Sequence, residues 1–268
     1  MAGFSPSLMP LPRVKAYLVK PMDNETIQTL NKINADFYTT IANDFDETRG
    51  KAWAGWEMLM NHIPTSTAPY RVLDIGCGNG RFGVFLHEKW GDKLVYHGID
   101  NNPSLLESAK EALSAKSITF SLQQDDIVMG NTKFEPAYDL VVSFGVIHHI
   151  PSAHLRTHLL WNWANAVNAG GYLAFACWRF YEFDRFRERV TAWDDQLADK
   201  VESHDYLLDW RRGATALRYC HYVDDAEHEA LVRATKMTEI ATYRADGFTN
   251  TVNQYSVLKK ITPKNPYK

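Results

Sequence analysis

Val72-Leu73-Asp74-Ile75-Gly76-Cys77-Gly78-Asn79-Gly80, followed by Arg81-Phe82, is the stretch that decides the fold. A short apolar run feeds a glycine-dense turn, and Arg81 to Lys89 has the pattern of a helix, so the unit is strand, tight loop, helix. Glycine lacks a Cβ, which lets such a loop bend sharply and bring its backbone against a ligand. A second apolar run, Leu94 to Ile99, ends in Asp100, where a carboxylate at a strand end can accept hydrogen bonds from a ribose diol.

Outward from this stretch the pattern alternates. Strands are expected at 71–75, 94–99, 118–122, 138–143 and 171–177, with helices at 80–89, 103–114 and 152–168. That rhythm predicts a mostly parallel sheet covered on both faces. Before it, Asp23 to Asn43 reads as a helix with Ile27, Leu30, Ile33, Phe37 and Ile41 near one stripe. Tyr38, Phe45, Arg49, Trp53 and Trp56 then fall on a helix-break-helix segment. After it, residues 178–216 interrupt the alternation with a mixture of arginines and aromatic residues, which reads as an inserted lid. Asp224 and Glu227 match a capping box opening a helix to Thr235. Two last strands, near 237–245 and 252–260, flank Asp246-Gly247-Phe248-Thr249-Asn250 and suggest an antiparallel hairpin. The organisation expected is a single domain over 1–260, with a helical segment at 23–60, the lid at 178–216 and a tail at 261–268.

The chain has 268 residues, 45% hydrophobic and 23% charged, which is ordinary globular composition. A net charge of −3 argues against nucleic-acid binding by bulk charge alone. No apolar stretch approaches the roughly 20 residues that span a bilayer, and no signal-peptide pattern opens the chain, so no membrane partner is expected. Cys77, Cys177 and Cys220 are widely spaced and form no metal-type pair, and the cytoplasm is the compartment expected.

The wording Asp74-x-Gly76-x-Gly78-x-Gly80, then Gly98-Ile99-Asp100, then Tyr138-Asp139-Leu140-Val141-Val142-Ser143, resembles the class I S-adenosylmethionine-dependent methyltransferases. Asp74 would repel a dinucleotide's pyrophosphate, which disfavours a dehydrogenase. The resemblance implies an α/β, Rossmann-like fold with a mostly parallel seven-stranded sheet ending in an antiparallel hairpin. It implies S-adenosyl-L-methionine as cofactor, held by Asp74, Gly76, Cys77, Gly78, Gly80, Asp100, Asn101, Ile127 and Phe144. One acid after the third strand should meet the adenine amino group; Asp126 is favoured, with Asp125 the alternative.

His148 and His149 follow the fourth strand, where the family's loop faces the acceptor, and either is a base or an orienting residue. Adjacent histidines point apart in a strand and no ligand spacing completes a set, so no metal site is expected. Asp205-Tyr206-Leu207-Leu208-Asp209-Trp210 and Arg218-Tyr219-Cys220-His221-Tyr222-Val223, with Ala35 to Trp53 and Tyr243 to Lys260, resemble the tRNA wobble-uridine carboxymethyl methyltransferases. The chain departs from that pattern at Cys220 and at Asp224-Asp225. Its insertion is also balanced, with seven arginines and one lysine against nine acids between 178 and 218.

That resemblance implies a tRNA acceptor, a 5-carboxymethyl-uridine carboxylate methylated to its ester, and a small activator protein of the kind its eukaryotic members require. A carboxylate is already ionised and needs no base, only alignment. Arg49, Arg218, Tyr219 and His221 are the candidates to hold it, and Trp53 or Trp178 to stack on the base. A small-molecule acceptor with a hydroxyl, amine or carbon acid would instead want His148 or His149 as base. A non-catalytic partner protein is the third reading, disfavoured by the intact Gly76 and Asp100.

Overall fold

A computed structural model of the chain describes residues 21–47, 52–64, 68–130, 134, 137–212 and 214–261. Two helices, α1 (Asn24–Glu47) and α2 (Ala54–Met60), precede β1 (Tyr70–Ile75). From there α3 (Arg81–Trp90), β2 (Leu94–Asp100), α4 (Pro103–Ala115), β3 (Thr119–Gln124), β4 (Tyr138–Phe144), α5 (Ala153–Ala166) and β5 (Val167–Trp178) alternate as expected. After an insertion, α7 (Asp225–Ala234) and the strands β9 (Thr238–Ala245) and β10 (Asn253–Lys259) complete the chain. The main sheet has seven strands in the order β3-β2-β1-β4-β5-β10-β9, with β10 antiparallel to both its neighbours.

Alternation along the strands sorts side chains onto two covered faces. Val72, Leu140, Val142, Ala174 and Ala176 pack with Trp56, Phe82 and Phe85 of α2 and α3. Leu73, Val141, Leu173 and Phe175 pack with Leu160 and Trp163 of α5 and Leu231 of α7 on the other side. Helix α4 starts where Pro103 follows Asn102, whose side chain caps the Ser104 and Leu105 N–H groups. At α7 the capping box is half made. Asp224 accepts from Glu227 N at 2.8 Å, but the Glu227 carboxylate turns away to Arg156 and His221.

The stretch expected to be a lid is a second sheet. It contains α6 (Asp184–Arg187), β6 (Val190–Thr191), β7 (Asp205–Arg212) and β8 (Ala214–His221), with strand order β6-β7-β8. Its last strand runs to His221, five residues past the expected boundary, because Asp205 pairs with His221 at the far end of the β7–β8 ladder. Helix α1 lies against β8, and Leu30 packs with Tyr219 and Leu197. The second sheet thereby has core of its own and a fixed position over the carboxyl ends of the main strands. Among the described residues no helix is long and apolar enough to cross a membrane.

Candidate functional site

A cavity of about 950 Å³ opens at the carboxyl ends of β1, β2 and β4 and is roofed by α1, the start of α2 and the second sheet. Its floor is the glycine turn, in which the three glycines answer different demands. Gly76 has φ +74°, and a Cβ there would meet Val146 Cγ2 at 2.2 Å. Gly78 has φ +54° with nothing within 4 Å of a Cβ, so its backbone borders open cavity. Gly80 does not line the cavity; a Cβ there would lie 3.2 Å from Ala109 Cα, so it serves the packing of α3 on α4. The N–H groups of Gly76 and Cys77 anchor the turn on Ile99 O at 2.8 and 3.0 Å.

Asp100 closes the loop. Its carboxylate accepts from Gly78 N and Asn102 N, both at 2.9 Å, and partial burial raises its pKa against those hydrogen bonds. Asp74 is buried at 3% exposure and accepts from the Tyr96 hydroxyl at 2.5 Å. Burial pushes Asp74 up to about 7; Asp100 adds to the rise, while Tyr96 and Arg81 oppose it. Cys77 lines the cavity beside them with its thiol pushed up by burial and by the two aspartates, a neutral wall and not a nucleophile.

Asn101, Asp125, Asp126, Ile127 and Phe144 also line the cavity. The two acids after β3 are engaged differently. Asp126 accepts from Val128 N, Met129 N and Asn31 Nδ2 at 2.9, 3.1 and 2.7 Å, so it holds the turn and ties it to α1. Asp125 bonds through its backbone, its N–H meeting Asp100 O at 3.0 Å.

At the opposite end lie His148, His149, Trp178, Trp210 and Arg218. His149 Nδ1 meets Tyr219 O at 3.0 Å, and a carbonyl only accepts, so Nδ1 carries the proton. In the neutral ring Nε2 then accepts from the Tyr38 hydroxyl, 2.8 Å away. These bonds tie His149 to α1 and to β8. His148 packs edge-on to Trp178 with ring centroids 5.3 Å apart. The Arg218 guanidinium sits 4.5 Å from the Trp178 ring centroid and 5.4 Å from that of Phe37. Among the described residues no carboxylate pairs with it, and its buried Nε has no hydrogen-bond partner.

Tyr219 and His221, expected beside Arg218 as acceptor ligands, are turned away from the cavity. Alternate residues of a strand face opposite sides, so 219 and 221 point from the cavity when 218 points into it. The Tyr219 hydroxyl donates to Asp205 at 2.8 Å, and both ring nitrogens of His221 meet carboxylates, Asp205 at 2.7 Å and Glu227 at 2.6 Å. Arg156, 1% exposed, completes this cluster through Glu227, Glu202 and Ile150 O. Burial and Arg156 work against charge on His221, yet the two carboxylates hold its pKa above the ordinary value. Arg49 lies outside the described residues.

Tyr38 of α1, expected on the segment before the glycine strand, lines the cavity together with Asn31 and Asn34, which the sequence did not single out. Their signal was a polar line at spacings of three and four beside the apolar stripe. Asn34 accepts from Tyr219 N at 2.9 Å and donates to His149 O at 3.3 Å, bridging the second sheet and the loop after β4. Asp246, also missed, accepts from Gly55 N, Asn253 Nδ2 and the Tyr255 hydroxyl and fixes α2 to the last hairpin.

Comparison with known proteins agrees with this layout. The methyltransferase domain family matches residues 72–171. The trans-aconitate 2-methyltransferase of Mycobacterium sp. (strain KMS) is 33% identical over 107 residues, 40% of this chain and 37% of that protein. The probable tRNA methyltransferase 9B of Homo sapiens is 24% identical over 190 residues, 68% of this chain and 37% of that protein. A tRNA (carboxymethyluridine(34)-5-O)-methyltransferase of Mus musculus is 24% identical over 197 residues, 69% of this chain and 27% of that protein. The matched stretches thus span well under half the length of these relatives. Among solved structures, a methyltransferase from Methanosarcina mazei superposes with a TM-score of 0.60 at 16% identity, covering 76% of this chain and 97% of that one. Residues 72–171 match the methyltransferase domain family, and the chain has the fold of the class I S-adenosylmethionine-dependent methyltransferases.

Proposed function

We propose that the chain binds S-adenosylmethionine in this cavity and methylates a carboxylate oxygen held by Arg218, the favoured acceptor being the 5-carboxymethyl-uridine of a tRNA wobble position. The residues present fit the cofactor. Asp100 offers a ribose its remaining lone pairs, Gly78 leaves room for close approach, and Asp74 offers a buried carboxylate to an ammonium. When bound, the cofactor supplies an electrophilic sulfonium methyl, whose carbon gains a bond to the acceptor oxygen as it loses its bond to sulfur.

The chain's own residues align and desolvate. Arg218 holds the acceptor carboxylate by its fork of N–H donors, stiffened by the aromatic rings that pack on it. Trp178 and Trp53 close the cavity against water, and no residue has to take a proton because the carboxylate arrives ionised. The observation carrying this reading is the Arg218 cation, caged by rings and facing the cavity without a carboxylate partner among the described residues. A cation left so costs desolvation that an anionic ligand offsets.

A small carboxylic acid is the second reading, favoured by the same arginine and by the trans-aconitate relatives, whose named substrate is itself a carboxylic acid. The two share their chemistry and differ in the size of the acceptor. R218Q should raise the KM for the acceptor by about tenfold or more, the scale of a charge-assisted hydrogen bond, with cofactor affinity unchanged. Parental KM in R218Q removes the arginine from the site.

A further inference from the structure

The cage around Arg218 continues to the molecular surface as a line of aromatic rings. Trp178, on which Arg218 packs, meets Phe186 edge-on at 4.8 Å, and Phe186 lies 6.3 Å from Phe248. Phe248 lies in the β9–β10 turn, whose Gly247 and Asn250 line the cavity; it is 56% exposed and continues an apolar patch with Phe183 and Phe186, the kind of surface that marks an interaction site. Phe183 braces it at 5.4 Å, and the Arg185 guanidinium covers it at 4.5 Å. Neighbouring arginines are neutralised, Arg187 by Asp184 and Arg244 by Glu182, whereas among the described residues no carboxylate pairs with Arg185. The surface end of the line therefore offers a half-exposed ring and a cation with no carboxylate partner among the described residues, and the cavity end offers the same two groups again.

Repetition of that pair along one path suits a ligand that repeats a flat ring and an anion. We propose that Phe248 and Arg185 form a stacking platform for a single-stranded RNA nucleotide flanking the reacting one, with its base on the Phe248 ring and its phosphate against Arg185. The proposal rests on the tRNA reading above and adds where the polymer lies. Stacking is indifferent to base identity and does not require a basic protein, which reconciles an RNA acceptor with a net charge of −3.

The test is equilibrium binding of a fluorescein-labelled, single-stranded anticodon-loop oligonucleotide to the full chain and to F248A and R185A, over a series of salt concentrations. Both side chains are surface groups, and unchanged cofactor affinity serves as the control for folding. F248A should bind on the order of tenfold more weakly or worse, the scale of losing one base stack. R185A should lower the slope of log affinity against log salt by about one phosphate contact. Absence of oligonucleotide binding by the parent, or parental affinity and slope in both variants, overturns the platform. Turnover separates the two claims. A parent that binds the oligonucleotide but leaves carboxymethylated tRNA unmethylated sinks the acceptor reading alone, and tRNA methylation by F248A at parental KM sinks the platform alone.

Discussion

Asp100 and Asp74 both border the glycine loop, and their hydrogen bonds give them different duties. Asp100 spends one lone pair on each of two backbone N–H groups and keeps others for a ribose. D100A should weaken cofactor binding by about 1.5–3 kcal/mol, the value of a hydrogen bond to a charged group, and calorimetry giving parental affinity would remove the ribose role. Asp74 is different because burial lifts it to about 7. An Asp raised from 3.8 binds its proton more tightly in the folded chain, so its contribution to apo stability is full below 3.8 and is lost as pH rises through about 7. An ammonium beside it favours the carboxylate, so cofactor affinity should climb with pH up to about 7 and then level. D74N should flatten that profile; a parental profile unchanged between pH 6 and 8 would contradict the assignment. That Asp74, Gly76, Gly78 and Asp100 border the cavity was legible because the signal is local, a spacing in one strand and one turn; that Gly80 packs α3 on α4 instead was not. Tyr219 and His221 were not, because a one-residue step along β8 reverses the side of the sheet and the sequence does not say which side is the cavity.

Among elements, the second sheet is held by a buried cluster joining β7, β8, α5 and α7. Both nitrogens of His221 meet carboxylates, which hold its pKa above the ordinary value, and Glu227 is lowered to about 2 against its own burial by His221 and Arg156. The two shifts bound a window. Glu227 stabilises above its ordinary 4.5 and fails as pH falls toward 2, and His221 stabilises below its ordinary 6.5 and fails as pH rises through its elevated value. Protection of β7 and β8 amides from hydrogen exchange should therefore be greatest between about pH 4.5 and 6.5 and decline on both sides. Removing Arg156 leaves Glu202, Asp205 and Glu227 clustered with His221 as their one remaining basic side chain among the described residues. R156M should cost about 3–5 kcal/mol and lower the melting temperature on the order of 10 °C, whereas a shift of a degree or two would mean the cluster holds nothing. None of this was legible in the chain, since its members lie between 156 and 227 and only the register of Asp205 against His221 brings them together. The same holds for the capping box, where sequence spacing was satisfied but Glu227 found better partners than its own helix.

For the whole molecule, the alternation of strands and helices fixed the parallel part of the sheet, because right-handed crossovers leave few other arrangements. The antiparallel hairpin was legible from its turn residues. What the sequence did not disclose was that α1 and the second sheet meet over the strand ends, joined by Asn34 and by Tyr38 through His149, so that an open nucleotide site becomes a cavity of about 950 Å³ with a caged arginine in its wall. That closure is why the acceptor end can be read as a carboxylate site at all.

Labelled methyl transfer tests the account most directly. The full chain would be incubated with S-adenosylmethionine labelled in its methyl group and with two acceptor pools in parallel, tRNA carrying carboxymethylated wobble uridines and a mixture of small carboxylic acids. An ester on a carboxylate releases its methyl as methanol in mild alkali, whereas a methyl on nitrogen, carbon or a hydroxyl stays bound. The account predicts alkali-labile label, in the tRNA pool if the favoured acceptor is right and in the acid pool if the second reading is. Label that survives alkali in either pool would contradict carboxylate methylation and the role given to Arg218.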